Sequence, residues 1–355
     1  MQELWVQFRE DAREGYVFYS RDVDREALAA RAGWERPFVL ARVLGWAMLR
    51  KLSPARRLLL VLAGILAFCA LFGLQLIGMP RSLEVVAAFG LLLFLLALEL
   101  SDAVSMKRDL ELAREIQRWL LPTEPPRMPG VDIAFANRPA NTVGGDFFEA
   151  VARAADLAAS PDGEGGLLLA VADVAGKSVP AALLMANFGA SLRALVVGGA
   201  GLSDLVRALN RATCARSNQG RRFVTAFLAE YEPGTRRLTY VSAGHNPPLL
   251  RRASGELEKL TEGGIPLGVD SDAPYPVATR TLAPGDLLVV YTDGVVDAVN
   301  EHGDMYGETR LLASVRSLDG AGATDALERL IDGVDRFVRG ARQPDDRTWL
   351  VLRAE

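Results

Sequence analysis

Between Leu58 and Met79 this chain runs almost without a polar side chain. That length reaches the ~20 apolar residues needed to cross the hydrocarbon core of a bilayer. After the short break Pro80-Arg81-Ser82-Leu83-Glu84, a second apolar run from Val85 to about Leu98 approaches the same length. The alternative is a helical hairpin buried in a soluble core, and the length of the first run favours the membrane. The run lies too far from the start for an ordinary signal peptide, and no small-residue cleavage site follows it. The mean hydropathy of +0.15 has its source here. Arg50, Lys51, Arg56 and Arg57 precede the first run, Lys107, Arg108, Arg114 and Arg118 follow the second, and only Arg81 lies between. By the positive-inside rule both long ends face the cytoplasm, which predicts a multi-pass protein of the inner (cytoplasmic) membrane.

The membrane segment divides the chain. Residues 1–57 read as a cytoplasmic N-terminal segment with helix formers at 25–30 and 38–44. Residues 58–100 are the two-helix transmembrane hairpin. Residues 101–122 are a linker helix that Pro122 stops, with Leu112, Ile116 and Trp119 at i, i+4 and i+7. This spacing suits a plain connector helix or a two-chain coiled coil and therefore a homodimer contact, and too few heptads are present to choose.

Residues 123–355 read as a mixed globular domain. Strands are expected at Val131–Ala136, Leu167–Ala172, Phe223–Ala229, Arg237–Ser242, Asp286–Tyr291 and Thr348–Leu352, with a short hairpin over Leu249–Leu260 and a flexible loop at 160–166. Helices are expected at Ser178–Val197, at Asp204–Ala215 with Ser203 as N-cap, and at Thr324–Val338. Strands joined by hairpins, with helices grouped in sequence, predict an α+β fold of antiparallel sheets faced by helices.

Four signatures in this domain end in, or contain, an aspartate: Val143-Gly144-Gly145-Asp146, Ala172-Asp173-Val174-Ala175-Gly176-Lys177, Tyr291-Thr292-Asp293-Gly294 and Asp345-Asp346-Arg347-Thr348. Asp173 and Asp293 each close an apolar run. Carboxylates displayed at strand ends supply the convergent oxygen ligands of a hard cation. Pooled carboxylates repel one another, and a cation relieves that repulsion. Asp146, Asp173, Asp293 and Asp345 are therefore the candidate metal and catalytic residues, with the Val174 carbonyl as a further oxygen ligand. Two divalent ions held there can activate water and clamp a phosphoryl oxygen. An isolated Asp-Gly pair is ordinarily a turn, so the weight lies in the ordered combination. With only 2 His and 2 Cys in 355 residues, a zinc or Cys-His centre is hard to assemble. Cys69 lies inside the first span and Cys214 stands alone, which predicts no disulfide framework. A net charge of -4 with no basic tract outside the span flanks predicts no nucleic-acid partner. His245 reads chiefly as a structural hydrogen-bonding residue and His302 as a surface turn residue.

From about residue 111 to 353 the chain resembles the bacterial branch of the metal-dependent, protein phosphatase 2C-like serine phosphatases of stress response and sporulation. The resemblance rests on Ala113-Arg114-Glu115-Ile116-Gln117 with Leu120-Leu121-Pro122, on the stretch Ala172 to Met185, on Phe223-Val224-Thr225, Ala243-Gly244-His245-Asn246-Pro247-Pro248 and Pro266-Leu267-Gly268, and on the four aspartate signatures. It implies a β-sandwich flanked by helices with two Mn²⁺ or Mg²⁺ ions between the sheets. It also implies hydrolysis of phosphoserine or phosphothreonine on a protein, by water activated at those ions. Asp173 would bridge the ions, the Val174 carbonyl would help hold one, Asp293 and Asp345 the other, and Asp146 would sit beside them. Partners implied are small anti-anti-sigma-type proteins. Eukaryotic relatives place an Arg shortly before the first Asp to grip phosphate; here the nearest is Arg138, and Lys177 is a second candidate for substrate binding. Two other readings stay open: a catalytically silent phosphoprotein-binding module of the same fold, and a phosphohydrolase for small molecules.

Overall fold

A computed structural model describes residues 52–74, 80–153, 165–217 and 222–355, with isolated helical positions at 39, 42, 46, 49 and 50. The expected helix at 25–30, most of that at 38–44, and the loop expected at 160–166 up to residue 164 lie outside the described residues. The chain separates into two compact units, residues 1–107 and 108–355.

The first unit contains α1 (Pro54–Phe72) and most of α2 (Arg81–Leu120). Helix α1 starts where Ser53 accepts the Arg56 N–H and Pro54 needs no partner, and it ends at Gly73 in the left-handed region (φ 71°). Its 19 residues span about 28 Å, close to the thickness of a bilayer core. Arg56 pairs with Glu99 (2.8 Å) and Asp102 (2.7 Å), so the start of α1 lies beside the middle of α2 and the two run as an antiparallel hairpin. Large apolar side chains face outward along both: Leu58, Leu71, Phe72, Val86, Phe89 and Leu96 are all more than half exposed. Length and composition alone also admit Ser178–Val197 as a span, but that helix packs on a sheet in the second unit. The second apolar run and the linker helix form one helix of 40 residues.

The second unit is a four-layer sandwich. One sheet has the order β1 (Val131–Arg138), β11 (Arg347–Ala354), β10 (Leu287–Tyr291), β6 (Leu249–Arg251), β7 (Leu257–Lys259). The other runs β2 (Phe147–Ala152), β3 (Leu167–Val174), β4 (Val224–Glu232), β5 (Arg237–Ala243), with β8 (Gly263–Gly264) and β9 (Ala278–Thr281) both pairing with β5. All pairings are antiparallel except the two-residue β5–β8 contact. Helices α3 (Ser178–Val197) and α4 (Leu202–Cys214) cover the second sheet, and α6 (Gly307–Arg316) and α7 (Ala323–Val338) the first; α5 (Asp293–Val296) is a single turn after β10.

Side chains alternate across a strand, so a strand buried on both faces needs an unbroken apolar run. In β3, Leu167, Leu169 and Val171 enter the core between the sheets, while Leu168, Ala170 and Ala172 meet α3 and α4. In β10, Leu288 and Val290 face between the sheets, and Leu287, Val289 and Tyr291 face α6 and α7. In β11, Leu350 and Leu352 face inward while Trp349 and Val351 face the helices. Continued one step past the apolar run, this parity puts Asp173, Thr292 and Thr348 on the inter-sheet side at one end of the sandwich.

The helix expected from Asp204 starts at Leu202 with Gly201 as its N-cap, so Ser203 lies inside it. Strand β2 was hidden behind a glycine pair that reads as a loop, and α6 is short and weakly patterned.

The α3 layer leaves little slack. A Cβ on Gly189 would stand 2.6 Å from the Phe147 ring edge. That ring is fully buried and packed edge-on against Phe188. Gly189→Val is expected to destabilise the protein by about 1–3 kcal/mol through overpacking, more than a helix gains from losing a glycine. Denaturant unfolding of the full-length chain measures it; a neutral result would show that the layer can yield.

Candidate active site

Asp146 lies just before β2 in the loop between the two sheets. It is 3% exposed, and two hydroxyls from the opposite sheet donate to its Oδ2: Thr292 (2.9 Å) and Thr348 (2.5 Å). The Thr292 Oγ1 also accepts the Thr348 N–H (3.0 Å), and Asn137 Nδ2 donates to Thr348 Oγ1 (2.7 Å). Asp146 is thus fixed by residues at the ends of β1, β10 and β11.

Asp346 holds the same loop from the other side. Its Oδ1 accepts the Ala140 N–H (2.8 Å) and its Oδ2 the Gly145 N–H (2.7 Å). The end of α2 adds a two-point contact: Gln117 Nε2 donates to the Gly144 carbonyl (2.7 Å), and Gln117 Oε1 accepts the Gly144 N–H (3.1 Å). The glycines of the motifs are explained by close approach. A Cβ on Gly144 would fall 2.2 Å from Asp346 Oδ2, and one on Gly294 would fall 1.9 Å from the Asp346 carbonyl oxygen. A Cβ on Gly145 would stand 3.0 Å from the Val174 carbonyl oxygen and 3.6 Å from Asp173 Oδ1. The glycines therefore admit protein atoms at distances a side chain would block.

Asp173 and Asp293 are half-buried, and Asp345 lies nearer the surface. Burial raises the Asp146 carboxyl well above the carboxylate range, and the neighbouring Asp173 charge adds to it. Burial, then Asp293, Asp345 and Asp346, raise Asp173 to about 7. Burial and Asp345 raise Asp293, and burial raises Asp346 against the opposing pull of the Ala140 and Gly145 N–H groups. The fold thus brings the expected aspartates and Asp346 together, so that neighbouring carboxylates oppose the ionisation of Asp146, Asp173, Asp293 and Asp346. Among the described residues, no three acidic, imidazole or thiol side chains already form a cation cage. The donor set is nevertheless all oxygen, anionic and self-repelling, which fits hard divalent cations.

Lys177 stands at the mouth of the cluster, its ammonium 3.0 Å from Asp345 Oδ2 and 2.7 Å from the Pro344 carbonyl. Arg138 is directed elsewhere. Its position on β1 has the opposite parity to Asn137, and its guanidinium pairs with Asp335 on α7, which also binds Arg347. The phosphate grip expected of Arg138 would require it to leave that pair. His245 is buried; its Nδ1 lies 3.2 Å from Thr225 Oγ1, next to the strand end that carries Asp173, and burial lowers it to about 4. In that place the ring braces β4 through Thr225. His302 lies in an exposed turn.

Sequence reasoning missed Thr292, Thr348, Asn137, Gln117 and the separate role of Asp346. Strand parity gave a usable signal for Thr292 and Thr348. Nothing in the sequence marked Gln117 as a partner of Gly144.

In the unfolded chain Asp173 returns to about 4, whereas the fold holds it near 7. The folded state therefore binds this proton more tightly, and the stability the site contributes falls as pH rises from about 4 to about 7, then levels off. In EDTA, Asp173→Asn is expected to raise the unfolding midpoint above the parent at pH 8, with little difference at pH 4. A parent that is the more stable of the two at pH 8 contradicts the repulsion.

Residues 163–355 match the family model Stage II sporulation protein E (SpoIIE). Over 199 residues the chain is 31% identical to the Bacillus subtilis protein named phosphoserine phosphatase RsbU, covering 56% of each chain. Over 284 residues it is 25% identical to protein IcfG of Synechocystis, covering 73% of this chain and 43% of that one. The chain spans about half the length of these curated relatives. Among solved structures, the SiaA-PP2C domain of Pseudomonas aeruginosa superposes with a TM-score of 0.61 at 23% identity, over 72% of this chain and 99% of that domain. The RsbU and RsbW domains of a Mycobacterium tuberculosis protein superpose with a TM-score of 0.54 at 26% identity, over 66% of this chain and 63% of that one.

Proposed function

This chain belongs to the SpoIIE family, and from that premise we propose that it is a membrane-tethered, metal-dependent protein serine/threonine phosphatase. The observation that carries the reading is the buried, self-repelling carboxylate cluster at one end of a PP2C-like sandwich. Asp146, Asp173, Asp293, Asp345 and the Val174 carbonyl are the residues that would hold two divalent cations, Mn²⁺ or Mg²⁺. Bound there, such ions neutralise the cluster, polarise a phosphoryl oxygen and lower the pKa of water. The protein's own part is positional. Thr292 and Thr348 fix Asp146, strand β3 presents Asp173, and α5 opens with Asp293. Lys177, half-exposed beside Asp345, supplies a positive charge at the entrance to which a phosphate monoester is drawn.

The substrate we propose is a phosphoserine or phosphothreonine on an anti-anti-sigma-type or other signalling protein. Its support is the similarity to RsbU and to a structure that joins RsbU and RsbW domains. Residues 58–100 form the membrane hairpin in this reading, supported by the outward-facing apolar side chains of α1 and α2. Residues 1–57 and the domain from 123 then lie in the cytoplasm. Leu112, Ile116 and Trp119, all exposed on α2, are the proposed homodimer contact of the 101–122 linker.

Full-length protein with Mn²⁺ is expected to release phosphate from phosphoserine peptides, and Asp173→Asn to lower that rate at least 1,000-fold while the protein stays folded. Capture of a phosphoprotein without turnover would instead favour the silent binding module. Preference for nucleotide or sugar phosphates in a competition assay would favour a small-molecule enzyme. Recovery of the chain in the soluble fraction without detergent would remove the membrane hairpin.

A further inference from the structure

An opening separate from the aspartate cluster lies beside the sandwich. A cavity of about 570 Å³ lies between the end of α2, β1 and the start of β2. Its volume is within the ~300–1,000 Å³ typical of small-ligand sites. Phe135 and Phe148 supply an aromatic wall, their ring centroids 4.8 Å apart. Arg114 and Arg118 line the same space, as does Arg138, whose guanidinium is held by Asp335 on α7.

The charges here are unbalanced. Arg138 shares Asp335 with Arg347, but Arg114 and Arg118 make no hydrogen bond or ion pair among the described residues. They stand four residues apart on one helix face, where like charges oppose helix formation. Glu111 and Glu115 are each three residues before one of them, yet neither closes an ion pair. The place of Arg118 in the last turn suits the helix dipole, but Arg114 has no such reason. Two unneutralised forks lining the same opening as the partly open Phe135 ring, which is backed by the buried Phe148, suit a flat ring bearing phosphate: guanidinium takes phosphate oxygens two at a time, and an aromatic face takes the ring. Asn137 also lines the cavity, and its Oδ1 has no partner among the described residues, which leaves an acceptor for a base amino group.

We propose that this cavity is a binding site for a nucleotide-class anion, separate from the aspartate cluster. Its occupancy can reach the cluster by a short route. Asn137 holds Thr348, which holds Asp146, and Gln117, also in the wall, holds Gly144. The site does not depend on the proposed hydrolysis, because it uses none of the cluster's carboxylates.

The test is isothermal titration of the full-length chain in neutral detergent with AMP, ATP, GMP, GTP and inorganic phosphate. EDTA is present throughout, so that the acidic cluster holds no cation and repels these anions. At least one nucleotide is expected to bind tenfold or more tightly than inorganic phosphate. Arg114→Glu with Arg118→Glu is expected to weaken it tenfold or more, and the milder Arg118→Gln and Phe135→Leu to weaken it measurably without loss of fold. Arg336→Glu, on exposed α7, should leave it unchanged. Absence of nucleotide binding at millimolar concentration, equal binding of inorganic phosphate, or binding indifferent to the cavity variants overturns the proposal.

Discussion

Two hydroxyl groups on one carboxylate oxygen hold the functional end of this fold together. Thr292 and Thr348 come from the sheet covered by α6 and α7, and Asp146 leads into the sheet covered by α3 and α4. Away from this end the sheets are joined by apolar packing, which is strong but without direction. Hydrogen bonds to a buried carboxyl group are directional and costly to leave unmade. They fix the register of one sheet over the other at the point where a misplacement of 1 Å matters most.

Placing several buried carboxylates together works against stability, and the surrounding architecture is arranged to bear it. The cost is held in a region where both sheets are otherwise packed with fully buried Leu, Val and aromatic side chains. Each such side chain contributes about 1.5–3 kcal/mol on burial. The polar groups that meet the aspartates are short and come from rigid elements: threonines at strand ends, backbone N–H groups of one tight loop, and a helix-borne amide. Burial is graded along the cluster, from Asp146 inside to Asp345 near solvent. Function of the kind proposed needs that gradient, because the outer groups must remain open to substrate while the inner ones stay fixed.

Much of this was legible in the sequence, and the reasons are local. Apolar runs such as Leu167–Ala172 and Leu287–Tyr291 announce strands buried on both faces, and the helix expected from Ser178 to about Val197 is found there. Asp146, Asp173 and Asp293 could be nominated because each follows such a run or sits beside glycine, and Asp345 only as a member of the ordered set of signatures. What could not be read was direction. Arg138 is one residue from Asn137, and that single step in a strand decides between facing α7 and joining the Thr348 network. The motif glycines were visible, but their neighbours, Asp346 and the Val174 carbonyl, lie 30 to 200 residues away. Contacts at that separation leave no mark on a single sequence. The boundary read at Ser101 is one of composition, from apolar to polar, and the backbone of α2 continues through it.

The adjacent pair Asp345-Asp346 shows how unlike two identical neighbours can be. Both oxygens of Asp346 are committed to backbone donors on a loop some 200 residues away. An amide in that place would turn an NH₂ group toward an N–H it cannot satisfy, and the loop would shift. Loss of activity on replacing this residue would therefore report a displaced scaffold, and a screen that scored only turnover would mistake a hinge pin for a working part.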